Sequence, residues 1–383
     1  MGDAQRLTPD EQIRLAREQY EAATDFTLAV EEEFALLDPG TLGLVGRFEE
    51  LFAASKGTEL DGHLVGELIS SEVEVRTGRC ESWAEAAATM AERRRQLLEL
   101  AGRLGIALCG AGTHPWSRWQ EQRIIDTPHY RRNDELLRYV VWRNNTFGIH
   151  VHVAIHGADR AVRVANGLRN FMPELLALSA SSPFVEGVYT HLHSARTQIF
   201  TKMFPRCGDP GAFEGWDEFE RYVRFLYDTG SMTEHTQLWW SVRPHLAYPT
   251  VEMRICDGQP ELGEAQALAA LVYSLTVRIA RAVDEGEPLP SYRERLVEEN
   301  LWRAIRHGLS GELIDLGTGR VRPARAAVEE LVEWVTPVAK ELGAAPSIAV
   351  PAQNAAQRQI ARYEAGQSLE EIYSQEVIEA VRV

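Results

Sequence analysis

Side chains two apart on a β-strand share a face, so Val30-Glu31-Glu32-Glu33-Phe34 would set Glu31 beside Glu33 and turn Glu32 the other way. Two like charges that close repel unless a cation neutralises them, and a metal ion is the obvious one. If Glu31 and Glu33 merely faced water, Glu32 would be buried beside Val30 and Phe34, an awkward place for a carboxylate away from a sheet edge. The run Glu67 to Arg76, ELISSEVEVR, repeats the theme. Glu72 and Glu74 share a face there, whereas Glu67 falls on the opposite face of a regular strand. If Glu67 and Glu74 serve one site, a bulge or turn must intervene, and Ser70-Ser71 is the place for it. His150 and His152 in FGIHVHVAIH also share a face, as metal ligands or as hydrogen-bonded core groups. Glu252 and Arg254 alternate with Val251, Met253 and Ile255, either as an ion pair or as a metal ligand beside a phosphate clamp. A donor set so rich in carboxylate oxygen suits Mg²⁺, with Mn²⁺ also acceptable, better than Zn²⁺, and such a cage holds ATP through its phosphates.

Those residues need a sheet to display them. Asp25 to Leu37 reads as a first strand ended by Asp38-Pro39-Gly40, Glu67 to Arg76 as a second, and Phe147 to His156 as a third. Gln237 to Val242 and Thr250 to Asp257 form a hairpin-like pair around Arg243-Pro244-His245. Thr8-Pro9-Asp10-Glu11 opens a helix reaching about Ala23, ahead of the core, and Ser82-Trp83-Ala84-Glu85 opens a longer one to about Leu104. Asp159 to Ala180 is helical, and five more helices follow Pro260. Gly112 to Asn133, rich in Trp, His, Arg and Pro without a period, reads as a functional loop. Within it His114 and Trp116 are candidates for shaping an acceptor site, and Tyr130, Arg131 and Arg132 for binding substrate. Neither a G-x-G-x-x-G after a strand nor a P-loop is present. The expected architecture is α+β, an antiparallel sheet covered on one face by helices. It divides into an N-terminal helical extension (1–24) and one catalytic domain (25–383), whose sheet core runs to about 260 before a helical part.

Composition bounds the rest. With 383 residues, 45% hydrophobic and 25% charged, the chain has material for a large core. Forty Lys+Arg against 56 Asp+Glu leave a net charge of −16, so nucleic acid and anionic membranes are poor partners. The first dozen residues carry no apolar leader, and Arg6 stands where a myristoylation motif needs Ser or Thr. No uncharged apolar stretch reaches the roughly 18 to 20 residues of a bilayer span. Cys80, Cys109, Cys207 and Cys256 show neither C-x-x-C nor disulfide-dense spacing and read as small buried hydrophobes, which suits a cytoplasmic protein.

The blocks VEEEF (30–34), VEVRTG (73–78), AGTHPWSRWQEQRI (111–124), FGIHVHV (147–153), LSASSPFVEGV (178–188) and VRPHLAYPTVEMRICD (242–257) resemble the carboxylate-amine ligase family. That family is also called glutamate-cysteine ligase type 2 and belongs to the glutamine synthetase superfamily. The resemblance is collinear from about residue 25 to 285. It implies a curved antiparallel sheet shaped as a half-open funnel, ATP and Mg²⁺ as cofactors, and metal ligands at Glu31, Glu33, Glu67, Glu74 and Glu252 with His150 beside them. Arg254 would contact the transferring phosphate and the nucleotide, Arg196 the nucleotide and either the phosphoryl group or the substrate carboxylate, and His152 and Arg243 the substrates. The implied activity joins a small carboxylate, such as glutamate, to cysteine or another amine through an acyl phosphate, and the family expectation is a homodimer. Two competing readings are a zinc hydrolase built on His150 and His152, and a nucleotide-binding homologue that has lost turnover.

Overall fold

The computed structural model describes residues 7–378 and 380–381, so the expectation about Arg6 and the start of the chain lies outside the described residues. Seven strands form one open sheet: β1 (Leu28–Leu37), β2 (Leu64–Val65), β3 (Glu72–Arg76), β4 (Ala107–Cys109), β5 (Ile149–Ala154), β6 (Val242–Pro244) and β7 (Thr250–Met253). Their order is β6-β7-β5-β1-β3-β2, with β4 pairing the end of β1, and every pairing is antiparallel. The expected α+β class holds, and the sheet is not closed into a barrel.

One face of this sheet is apolar. Leu28, Val30, Ile149, Val151, Val153, Val251 and Met253 join the main core with the helices Ala158–Leu168, Leu262–Glu285 and Ala324–Glu341. Leu262–Glu285 is long and apolar enough to cross a bilayer, but 78% of its apolar window is buried inside the fold, as befits a central core helix. Glu32 lies on the same face and is neutralised there. Arg94, 1% exposed, donates from Nη2 to Glu32 Oε1 at 2.6 Å and spends its other N–H groups on the Gln259 and Pro260 carbonyls at 2.8 Å. A buried carboxylate inside the sheet is therefore tolerable because a helix arginine meets it.

Several elements differ from expectation. The Pro9–Glu21 helix has the anticipated capping box on Thr8, but its Ile13, Ala16 and Tyr20 stripe makes it part of the main core instead of a preceding extension. The 112–133 segment is not all loop, because Thr127 caps a helix at Pro128–Leu137, the same Thr-Pro signal as at Thr8-Pro9. The 159–180 helix breaks at a 3₁₀ turn, Arg169–Phe171, where Pro173 opens a new helix and Asn170 Nδ2 takes the Asn166 and Gly167 carbonyls at 2.8 and 3.1 Å. Between two C-terminal helices a ribbon, Glu312–Asp315 with Arg320–Pro323, has no counterpart in the pattern reading. All four cysteines are free, and Cys207 alone is not fully buried.

Candidate active site

The polar face of the sheet is built by register. Across β1 and β5, Glu31 pairs with His150; across β1 and β3, Glu33 pairs with Glu74 and Glu31 with Arg76; across β7, Glu252 stands opposite both His152 and Arg243. The alternation of each strand turns these side chains to one side, into a cavity of about 320 Å³ that holds six carboxylates (Glu31, Glu33, Glu67, Glu72, Glu74, Glu252) and four guanidiniums (Arg76, Arg196, Arg243, Arg254). Glu67 reaches it by a chain reversal and not a bulge. β2 and β3 pair antiparallel, residues 66–71 turn between them through Ser70-Ser71, and the loop delivers Glu67 to Glu33 and Glu74.

Among the described residues, three groups of ligand-type atoms lie within 4.8 Å of one another: Glu31 with Glu74 and His150, Glu31 with His152 and Glu252, and Glu33 with Glu67 and Glu74. The two histidines fall in different groups, and the third group is oxygen only. Electrostatics divides the carboxylates differently, setting Glu31 and Glu74 apart although they share a group. Burial would raise Glu31 and Glu252, but His152 and His150 beside Glu31, and Arg243 and Arg254 beside Glu252, pull both well below the usual carboxylate range. On the other side burial and the neighbouring carboxylate Glu33 push Glu67 up to about 7, and burial with adjacent glutamates pushes Glu72 and Glu74 well above their ordinary values. Burial lowers the His150 ring, helped by Arg254, whereas Glu252 and Glu31 outweigh burial and raise His152. Glu72 Oε2 is buried with no hydrogen-bond partner. Acid-rich and oxygen-only, with Arg76, paired to Glu74, set against Glu33, Glu67, Glu72 and Glu74, this side fits a divalent cation.

A stability prediction follows with its sign. Between the ordinary 4.5 and about 7, folded Glu67 binds a proton that the unfolded chain has released, so its contribution is lost as pH rises through that window, and Glu72 and Glu74 act in the same direction. Glu31 and Glu252, depressed on folding, lose their contribution only as pH falls below the carboxylate range. Metal-free protein should therefore melt at a lower temperature at about pH 8 than at about pH 5, and Mg²⁺ or Mn²⁺ should raise the midpoint more at pH 8. A midpoint that rises with pH and ignores both metals would contradict the cage.

The guanidiniums are fixed from behind. Arg196 donates to the Ile255 and Arg254 carbonyls at 3.2 and 3.4 Å, and its Nε is buried without a partner. Gly148 makes room for it, since a Cβ there would lie 2.2 Å from Arg196 Nη2. Arg254 pairs with Glu252 and lies 3.4 Å from His150 Nδ1. Arg243 Nε holds the other Glu252 oxygen at 2.7 Å.

Of the residues singled out in the sequence, Glu31, Glu33, Glu67, Glu74, Glu252, His150, His152, Arg196, Arg243, Arg254 and Tyr130 line this cavity. His114, Trp116 and Arg131 do not. His114 is 1% exposed with Nε2 on the Leu42 carbonyl at 2.8 Å, and Trp116 packs on Tyr373 at 5.3 Å, so both lie against the C-terminal helix and away from this cavity. Arg131 is exposed and pairs with Asp126, while Arg132 pairs with Glu234. Glu72, placed beside Glu74 by alternation but left out of the expected ligands, is also on the cavity wall, and sequence reasoning passed over Arg76, Asn133, Phe200, Trp239, His245 and Tyr248 there. Glu72 was within reach, since it shares its strand face with Glu74; Phe200 and Trp239 carry no local signal. A second cavity of about 580 Å³, walled by Ala22, Ala23, Ala29, Ala154 and Pro249 among others, meets the first at Glu31, Arg76, His152 and Tyr248.

The fold is that of a glutamate–cysteine ligase from Francisella tularensis solved in complex with AMP, with a TM-score of 0.66 over 92% of this chain and 87% of that one at 14% identity. A bifunctional glutathione synthetase from Pasteurella multocida superposes with a TM-score of 0.64 over 97% of this chain and 53% of its own, at 13% identity. A family match, more than the fold, places the chain among the ATP-dependent carbon–nitrogen ligases. Residues 27–375 match the model of glutamate-cysteine ligase family 2, and the chain belongs to that family. Its relatives include a Rubrobacter xylanophilus protein provisionally named glutamate–cysteine ligase 2-3, 43% identical over 85% of this chain and 87% of that protein. A Sorangium cellulosum relative provisionally named glutamate–cysteine ligase 2 is 42% identical over 83% of this chain and 85% of its own.

Proposed function

We propose that the protein joins the carboxylate of glutamate, or of a close analogue, to cysteine or another small amine, with ATP and Mg²⁺ and by way of an acyl phosphate. The observation that carries this reading is the trio Glu33, Glu67 and Glu74, oxygen-only and met by Arg76 at Glu74, abutting two histidine-containing groups on the same cavity floor. Glu33, Glu67 and Glu74 would hold one Mg²⁺, and Glu31 with Glu252 and His152 another. Bound there, Mg²⁺ would neutralise phosphate charge that otherwise repels an incoming carboxylate.

The chain's own residues account for the rest. The second cavity, with few charged groups beyond those it shares, suits a base and ribose, and its four shared residues let a phosphate chain pass into the acidic cavity. Arg254 and Arg196, held by backbone carbonyls and Glu252, aim N–H groups at the oxygens of the transferring phosphoryl group. A substrate carboxylate oxygen attacks the γ-phosphorus and ADP leaves; the amine nitrogen then attacks the acyl carbon, and the phosphate departs with the amine's proton. No protein nucleophile is needed, so positioning and electrostatics supply the catalysis.

The test is a panel. Glutamate and other small carboxylates crossed with cysteine and other amines should release ADP and phosphate, with Mg²⁺, for at least one pair; a broad panel without release would overturn the reading. The zinc alternative is weakened by the separation of His150 and His152 into different groups. Stoichiometric zinc in purified protein would restore it.

A further inference from the structure

Two histidines make the same backbone motif and finish it differently. His114 Nδ1 accepts from the N–H groups two and three residues on, Trp116 at 3.3 Å and Ser117 at 2.9 Å. His245 Nδ1 does the same with Ala247 at 3.0 Å and Tyr248 at 3.1 Å. A ring nitrogen that accepts two hydrogen bonds cannot carry the proton, so each ring is neutral with its hydrogen on Nε2. His114 gives that hydrogen to the Leu42 carbonyl at 2.8 Å, which completes a structural role. His245 Nε2 has no protein acceptor among the described residues.

The unspent donor is held in place. Tyr248 stacks on the His245 ring at 5.0 Å, His152 meets it edge-on at 5.6 Å, and Tyr20 donates its hydroxyl to the His245 carbonyl at 3.2 Å. His245 lines the acidic cavity, and its neighbours His152 and Tyr248 line both cavities, so the ring stands at the junction. A cationic donor at this point would be drawn to Glu252; a neutral one stays available.

We propose that His245 is a nucleotide-binding residue whose Nε2–H donates to a phosphate or ribose oxygen of ATP where the nucleotide passes from the apolar cavity into the acidic one. This rests on the ATP reading given above, and the experiment separates the two. Asparagine at 245 can accept the Ala247 and Tyr248 N–H groups through its own side-chain oxygen and so keep the turn, but it lacks the Nε2 donor. Calorimetric titration with ADP and Mg²⁺ should show His245→Asn binding roughly 10- to 100-fold more weakly than wild type, with an unchanged melting temperature. Equal affinity in a folded His245→Asn variant overturns the assignment, whereas wild type that binds no nucleotide overturns the ATP reading itself. Should the variant not fold, long-range ¹H–¹⁵N spectra of wild type decide. The neutral Nε2–H form, with an Nε2 signal that moves on adding ADP, supports the proposal, and an Nδ1–H form or an unmoved signal overturns it. In kinetics the asparagine variant should raise KM for ATP and leave KM for the carboxylate alone, a split that a purely structural histidine would not produce.

Discussion

Glu33→Gln is expected to lower ligase turnover by roughly 10³-fold while the metal-free protein melts at the same temperature or higher. The side chain belongs to the oxygen-only trio with Glu67 and Glu74, and its Oε1 lies 3.6 Å from His150 Nε2. Glutamine keeps the shape and can still accept the Gly148 N–H that Glu33 accepts, so the strand stays as it is. What disappears is one negative charge among carboxylates that already raise one another, since Glu33 is among the groups pushing Glu67 and Glu72 upward. Removing it relieves the metal-free protein and weakens the cation site, so activity and stability move in opposite directions. A variant with wild-type turnover would remove Glu33 from the metal site, and one that unfolds would show its role to be structural. Both quantities come from one preparation, a phosphate-release assay and a thermal melt without metal.

Arg94→Met should cost about 3–5 kcal/mol of unfolding free energy, because it leaves Glu32 charged and unpaired in the main core. That is a large share of the stability of an ordinary domain. The arginine also ties Gln259 and Pro260, at the entrance to the central helix Leu262–Glu285, to the first strand. The double variant Glu32→Leu/Arg94→Met removes both charges and should recover most of the loss, though not the part owed to the two orphaned carbonyls. Urea unfolding of the two single variants and the double one measures the coupling. Additive effects would mean that the pair contributes nothing as a pair.

Much of the site could be read from strand alternation, because period two is a rigid rule: placing Glu31 with Glu33 and His150 with His152 needed no knowledge of neighbouring strands. Even the conflict over Glu67 was informative, since it demanded a break in the strand at Ser70-Ser71; alternation alone favoured a bulge, and the chain turns there instead. Glu32 resisted reading because its partner sits 62 residues away on a helix. His114 misled for a related reason. An aromatic, basic stretch looks like a binding loop, and only tertiary structure shows the C-terminal Tyr373 lying against it. His245 had no spacing to distinguish it; its role depends on which acceptor its ring finds. The helix at Pro128–Leu137 was legible and went unread, as Thr127-Pro128 carries the same start signal as Thr8-Pro9.

The cross-strand register also governs which length changes the chain can tolerate. Inserting a single residue between Val30 and Glu31 exchanges odd for even positions beyond it: Glu31 and Glu33 would enter the apolar core and Glu32 alone would face the cavity. A two-residue change preserves parity but slides the carboxylates by one full pleat, past His150 and Glu74. Strand length here is thus a discrete quantity with no permitted neighbours, and variation in chain length among relatives should collect in the connections, with none in β1.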